Sequence, residues 1–197
     1  MPSVASVPSE ASARSLLERA RARVAQIPDP EIPVVTLLDL GILRDVRMEG
    51  ERLVVTLTPT YTGCPATQVI AQEVRDTLAA DGLHDAEVRL TLSPPWTTDW
   101  ITDEGRRKLR AYGIAPPARV EPGACPIGGP GAGPAPDASG ASNLPVEAVL
   151  RFVPHAIACP QCGSASVERL SEYGSTPCKA LYRCLDCREP FDYFKPY

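Results

Sequence analysis

Residues 159–187 read CPQCGSASVERLSEYGSTPCKALYRCLDC, and the two C-x-x-C motifs in this stretch decide how this end of the chain folds. Cys159 and Cys162 form the first pair, and Cys184 and Cys187 form the second after 21 intervening residues. Each C-x-x-C turn offers two thiolates, and four thiolates satisfy a tetrahedral Zn²⁺ ion. The spacing therefore predicts a four-cysteine zinc site. A single iron ion held by the same thiolates stays open as an alternative.

A small β-rich module is expected around these cysteines. Residues 167–170 and 180–183 are predicted to pair as strands, and the aromatic residues after the second cysteine pair supply apolar surface. Cys178 is a fifth thiol in this segment. Lys179 beside it favours a lowered pKa and a reactive thiol, whereas the alternative is a small, semi-buried residue without chemistry.

Composition limits the class of protein. The chain has 197 residues, of which 44% are hydrophobic, enough for one ordinary domain and a smaller one. Its net charge of -4 disfavours nucleic-acid binding, which needs a positive surface. No apolar run has the length of a signal-peptide core or of a membrane span, so a cytoplasmic protein without a membrane partner is expected. In that compartment seven cysteines indicate metal ligation rather than disulfides.

Three regions follow one another along the chain. Residues 11–113 have globular patterning, residues 114–147 are rich in Pro, Gly and Ala and predict a flexible linker, and residues 150–197 carry the predicted zinc ribbon. The first region is expected to be an α+β domain, a small three-stranded sheet with helices on one face. Its predicted helices are residues 12–26, 65–80 and 102–112, and its predicted strands are residues 42–48, 53–58 and 86–92.

Two motifs in the first region indicate a second candidate site. They are residues 29–42, DPEIPVVTLLDLGI, and residues 60–66, TYTGCPA. Cys64 is expected at the start of a helix, where the helix dipole would lower the pKa of its thiol and make it a better metal ligand. Asp29 and Glu31 offer oxygen ligands, or alternatively cap and solvate a turn. Cys64 itself has a structural alternative as a packed, buried thiol.

At these motifs the chain resembles the small iron–sulfur cluster assembly domain of SufT-type and cytosolic cluster-targeting proteins. Residues 93–102, SPPWTTDWIT, and residues 175–195, STPCKALYRCLDCREPFDYFK, extend the likeness over both domains. With these two stretches, the chain resembles the PaaD family of accessory subunits in the phenylacetyl-CoA epoxidase (ring-1,2-epoxidase) system. Trp96 and Trp100 in the first stretch are expected to be exposed and to anchor a partner, with covering of the sheet as the alternative.

The resemblance implies an accessory protein of aerobic phenylacetate degradation. Such a protein would mature or maintain the di-iron or iron–sulfur centres of the epoxidase, with the oxygenase or reductase subunits as partners and without a catalytic residue of its own. An iron–sulfur cluster or iron would bind transiently at Cys64, with Asp29, Glu31 and Thr62. The sequence agrees, because it contains no Glu-x-x-His pair of the di-iron type and no glycine-rich nucleotide loop.

Other classes of function stay open at this point. The chain could be a purely structural adaptor in which Cys64 is inert. A thiol enzyme using Cys64 or Cys178 is weakened because no histidine lies near either cysteine in the sequence. A nucleic-acid-binding ribbon is weakened by the net negative charge.

Overall fold

The computed structural model of the protein describes residues 10–119 and 157–196. The first range contains three α-helices, four strands and a short 3-10 helix, and the second contains three strands. In chain order the elements are α1 (Glu10–Ala25), β1 (Leu43–Glu49), β2 (Arg52–Leu57), α2 (Ala66–Ala80), β3 (Glu87–Leu90), the 3-10 helix (Thr98–Trp100), α3 (Asp103–Ala111), β4 (Ile114–Ala115), β5 (Val167–Ser171), β6 (Lys179–Cys184) and β7 (Pro190–Phe194).

The first sheet has the strand order β1-β2-β3. The strands β1 and β2 form an antiparallel hairpin that turns at Gly50, whose φ of +65° is a left-handed conformation that glycine adopts without strain. The strands β2 and β3 are parallel, with α2 as the crossover between them. The predicted α+β fold with a three-stranded sheet is confirmed.

Helix α2 covers one face of this sheet with the residues that the sequence predicted. Ala66, Ile70, Val74 and Leu78 are buried at four-residue spacing. They belong to the same core as the inward-facing side chains of β2, Leu53, Val55 and Leu57. The apolar periodicity of the sequence therefore identified this part of the core.

The turn between α1 and β1 is held by Asp39 and Gly41. Oδ2 of Asp39 accepts hydrogen bonds from the amide of Thr36 (3.0 Å) and from Nζ of Lys108 on α3 (2.6 Å). Gly41 has a φ of +68°, and a Cβ there would lie 2.6 Å from Cβ of Trp100. These two residues of the D-L-G motif thus have a structural role, which fixes the neighbouring Leu40 and Ile42 in the core.

The second sheet has the order β4-β7-β6-β5 and is built from both described ranges. The predicted strands of the ribbon pair antiparallel as β5 and β6. The strand β4 lies in residues predicted to be linker, yet it pairs in parallel with β7. The guanidinium of Arg106 also donates a hydrogen bond to the carbonyl of Pro117. The predicted start of the linker at residue 114 is therefore wrong. Residues 120–147 lie outside the described residues, so their flexibility stays a prediction.

Side chains of the ribbon also enter the core of the first domain. Phe194 of β7 is 1% exposed, belongs to that core, and lies with its ring centroid 5.9 Å from that of Trp96. Trp96 is 5% exposed and donates its Nε1 hydrogen to the carbonyl of Leu40 (2.8 Å). The expectation that Trp96 is an exposed partner anchor is wrong, because it packs inside the molecule. Trp100 is half-buried, with the guanidinium of Arg44 3.4 Å above its ring.

In the part of the chain that the structure describes, no helix has the length and apolar character that crossing a membrane requires.

Candidate metal centres

The four cysteines of the ribbon converge on one point. Their sulfur atoms all lie within 4.8 Å of one another, with 3.7 Å between Cys159 and Cys187 and 3.6 Å between Cys162 and Cys184. A tetrahedral zinc with Zn–S bonds of about 2.3 Å places its sulfurs about 3.8 Å apart. The sulfurs thus stand almost where a zinc ion would hold them, and the donor set fits the predicted metal.

The two C-x-x-C turns use the same local geometry with different residues. In the first, the amide of Gly163 donates to the carbonyl of Cys159 (2.9 Å), and Gly163 has a φ of +77°. In the second, Arg188 adopts the left-handed φ of +68°. Amides of Cys187 and Asp186 point at the sulfur of Cys184 and lower the pKa of that thiol to about 7. Such donors favour the thiolate, which is the form that binds metal.

A second candidate centre lies between the two sheets, in a narrow pocket with a cavity volume of about 20 Å³. The floor and walls are mostly apolar, but the lining includes two thiols and two carboxyl groups. The residues that supply them are Cys64, Cys178, Asp29 and Glu31. The structure therefore brings together two carboxyl groups from the first N-terminal motif, a thiol from the second and a cysteine from the ribbon.

Cys64 precedes α2, as the sequence predicted, and the helix amide of Ala66 and the hydroxyl of Thr67 donate to its sulfur. The predicted lowering of its pKa is nevertheless wrong. Burial raises the pKa of the Cys64 thiol, and the negative charge of Glu31 raises it further. These effects outweigh the amide at the helix start because the thiolate loses solvation in the pocket.

Asp29 and Glu31 have different surroundings although only one residue separates them. Oδ1 of Asp29 accepts hydrogen bonds from the amides of Glu31 (2.9 Å) and Ile32 (2.8 Å), so Asp29 holds the turn that carries Glu31. Burial raises the pKa of both carboxyl groups, and the charge of Asp29 adds to the shift of Glu31. Glu31 is half-buried and directs its carboxylate toward the ribbon.

Cys178 faces this pocket rather than the four-cysteine cluster. It is 4% exposed, and its thiol donates to Oε2 of Glu31 across 3.8 Å. Burial raises its pKa to about 11, although a hydrogen bond with Thr176 acts in the opposite direction. The charge of Lys179 does lower this pKa, but burial outweighs it, so the expectation of a lowered pKa overall is wrong. Lys179 is itself buried, with its Nζ 3.5 Å from Oδ2 of Asp192.

Known proteins have sequences similar to both domains of this chain. A family model described as the PaaD zinc beta ribbon domain matches residues 144–195. The chain is 45% identical over 174 residues to a putative subunit of 1,2-phenylacetyl-CoA epoxidase from Escherichia coli strain K12, covering 88% of this chain and 89% of that protein. The chain belongs to the PaaD family.

The first domain of this PaaD-family chain has further relatives. A model described as an iron–sulfur cluster assembly protein matches residues 17–90. The Fe-S protein maturation auxiliary factor YitW of Bacillus subtilis strain 168 is 37% identical over 87 residues, which cover 43% of this chain and 84% of that protein. A crystal structure of a domain of unknown function from Bacillus anthracis is 26% identical, with a TM-score of 0.46, covering 50% of this chain and 95% of that one.

Thr62, one of the residues predicted to belong to the second site of this PaaD-family chain, does not reach the pocket. Thr62 is exposed in the turn before Cys64 and does not line the pocket, where Thr60 and Thr67 are found instead. Sequence reasoning missed the meeting of Cys178 with Glu31, for which the chain carries no local signal. Metal ligands in proteins are often His, Cys, Asp or Glu side chains. Across residues 10–119 and 157–196, only the four ribbon cysteines bring three or more ligand atoms of these types within 4.8 Å of one another. The pocket groups are neighbours but are not assembled around a point.

Proposed function

We propose that this chain is an accessory protein of aerobic phenylacetate degradation that supplies or maintains metal in the phenylacetyl-CoA epoxidase and does not itself catalyse epoxidation. One observation carries the proposal: Cys64, Asp29 and Glu31, from two separate motifs, line a single pocket. The names of two relatives support it, since one is a putative subunit of that epoxidase and the other a maturation factor for Fe-S proteins.

The ribbon has a structural part in this function. We infer that Cys159, Cys162, Cys184 and Cys187 hold one zinc ion, because four thiolates complete its coordination and leave no position for a substrate. The apolar cluster around these cysteines is small, consisting of Phe191, Tyr193 and a few half-buried neighbours. A module of this size relies on the metal for much of its folding free energy.

The pocket, by contrast, binds its metal transiently in the proposed function. Its cargo is iron or an iron–sulfur cluster, which Cys64 would bind through sulfur and Glu31 through oxygen. Both side chains are half-buried, so a cargo can reach them from the mouth of the pocket. A site that is not preassembled holds its metal less firmly than the ribbon does, which suits release to a client. The clients are the oxygenase or the reductase subunits of the epoxidase, and nucleic acid has no part.

The experiment compares Cys64→Ser with the wild-type chain in a host that lacks its own copy and grows on phenylacetate as carbon source. We expect the variant to accumulate at a normal level and melt normally, while growth fails and the isolated epoxidase contains at least about tenfold less iron. Cys125→Ser, in the predicted linker, is the matched control and should support growth. An abundant, stable Cys64→Ser protein that supports full growth and a fully loaded epoxidase would refute the proposal.

The second candidate is a non-catalytic structural adaptor of the same complex with no role in metal transfer. The raised pKa of Cys64 favours it, since a protonated, partly buried thiol also fits a packing role. Burying a serine hydroxyl at this position would then cost about 1–3 kcal/mol. In that case the melting temperature and the abundance of Cys64→Ser would fall together, and any loss of growth would follow the loss of protein.

A further inference from the structure

The pocket contains two thiols that come from the two different domains and lie 114 positions apart in the sequence. Cys64 stands before α2 in the first domain, and Cys178 precedes β6 in the ribbon. Glu31 lies in the same pocket and is 3.8 Å from the sulfur of Cys178. Two sulfurs and a carboxylate are a donor set that borderline divalent ions such as Fe²⁺, Co²⁺ and Zn²⁺ accept.

Cys178 is separate from the four-cysteine cluster. It stands six residues before Cys184 along an extended strand, which at about 3.3 Å per residue places the two roughly 20 Å apart. The carbonyl of Cys178 accepts a hydrogen bond from the amide of Lys195 at the end of β7 (2.9 Å), so its backbone is fixed by the ribbon sheet. The ribbon therefore presents the thiol of Cys178 to the first domain. The four-cysteine cluster of the ribbon does not use this thiol.

We propose that Cys64, Cys178 and Glu31 together bind one divalent transition-metal ion, so that the metal site is completed by the ribbon and lies across the interface of the two domains. This inference rests on the proposed metal handling at Cys64 and adds the second thiol. Asp29 is a positioning residue, because its carboxylate holds the turn that carries Glu31. The fourth position is left for water or for a ligand of the client. On binding, each thiol releases its proton to solvent and becomes a thiolate ligand.

Metal binding requires Cys64 and the other two donor atoms to move together. The three donor atoms do not all lie within 4.8 Å of one another, whereas two thiolates on one ion stand about 3.8 Å apart. Glu31 already lies 3.8 Å from the sulfur of Cys178, so the gap to be closed is the one to Cys64, and side-chain rotations of Cys64 and Glu31 must close it. Cys178 contributes from a fixed backbone. The ribbon thus acts as one wall of the site.

The test uses the full chain with zinc in the ribbon, titrated without oxygen with Co²⁺ as the probe. We expect one additional cobalt per chain, with X-ray absorption showing two sulfur ligands on it. Cys64→Ser and Cys178→Ser should each remove one sulfur ligand and weaken cobalt binding at least tenfold, while Cys125→Ser should match the wild type. The sulfur count on the wild-type chain needs no variant, so it stays decisive even if Cys178→Ser does not fold.

The outcomes separate this inference from the proposed function. If Cys64→Ser abolishes cobalt binding while Cys178→Ser binds as the wild type does, or if the wild type shows one sulfur ligand, the second thiol is refuted and metal handling at Cys64 stands. If the wild-type chain takes up no additional cobalt, the interdomain metal site is refuted, and the growth and epoxidase-iron comparison of Cys64→Ser decides the proposed function separately. Loss of binding in both variants, with two sulfurs in the wild type, supports the interdomain site.

Discussion

The four-cysteine cluster and the interdomain pocket differ in how they are prepared for a metal. The cluster has its four sulfurs, carried by two tight turns, within 4.8 Å of one another, while the pocket has two thiols and two carboxyl groups spread over an apolar cavity. The turns that hold the cluster have little core of their own. The pocket is lined by residues of the main core, which includes Cys178 and Phe194 of the ribbon. A resident metal therefore has four thiols already in place, whereas a cargo metal meets donors that still have to come together around it.

Removal of the ribbon metal is the change with the largest expected effect. Structural zinc contributes on the order of 10 kcal/mol of folding free energy in small modules. A strong chelator, or Cys184→Ser, should therefore abolish hydrogen-exchange protection in β5 and β6 and only lower it in α2 and β2, because Phe194 is then lost from the main core. Hydrogen exchange with mass spectrometry on the full chain, beside elemental analysis for zinc, makes the measurement.

The pocket provides the matched control for this experiment. Cys178→Ser removes a thiol from the same module without touching the cluster, so zinc content should stay at one per chain. If β5 and β6 stay protected from hydrogen exchange after complete loss of metal, the ribbon does not need its zinc to fold, and the two sites do not differ in this respect.

Phe194→Ala should have the next largest effect. Truncation of a buried phenylalanine costs about 3–5 kcal/mol, and Phe194 belongs to the core of the first domain. We expect lowered protection of α2 and β2 as well as of β7. Phe191→Ala is the control, because Phe191 lies in the small cluster around the cysteines and its loss should affect the ribbon alone. Equal effects of the two substitutions on α2 would mean that the ribbon does not share the core.

Asp39→Asn should have the smallest effect on the free energy of unfolding. This effect should depend on pH and not on the ribbon metal. Burial raises the pKa of Asp39, but hydrogen bonds from Lys108 and from the amide of Thr36 outweigh it and lower the pKa overall. The stabilisation is thus present above the unfolded pKa of about 3.9 and is lost as the pH falls through the folded pKa. We expect a loss of about 1.5–3 kcal/mol at neutral pH, shrinking below about pH 4.

Urea denaturation over a range of pH values, with and without chelator, measures this effect. Asp45→Asn is the control, since Asp45 pairs with Arg47 at the exposed face of β1, where such a pair contributes less than about 1 kcal/mol. A penalty for Asp39→Asn that is the same at pH 3 and pH 7 would contradict the assignment of a charged Asp39.

The sequence predicted the features whose cause is local. The four-residue spacing of Ile70, Val74 and Leu78 and the two C-x-x-C turns are periodic or compact patterns, and both were placed correctly. The pairing of β4 with β7 was missed. The two residues of β4 are too few to show an alternating apolar pattern, and their partner strand is remote in the sequence. The thiol pKa values were wrong for a related reason. The sequence shows the helix start and the neighbouring lysine, but not the burial that outweighs them.

The parallel pairing of β4 with β7 has a consequence for synthesis on the ribosome. Ala115 of β4 emerges about 75 residues before Pro190 of β7, an interval of roughly 4–15 s at ordinary translation rates. Until then Trp96 has no Phe194 to pack against, and Cys64 faces solvent without Cys178 opposite it. The face of the nascent first domain that carries Trp96 and Cys64 therefore stays exposed to solvent until β7, the last of the described strands, has been made.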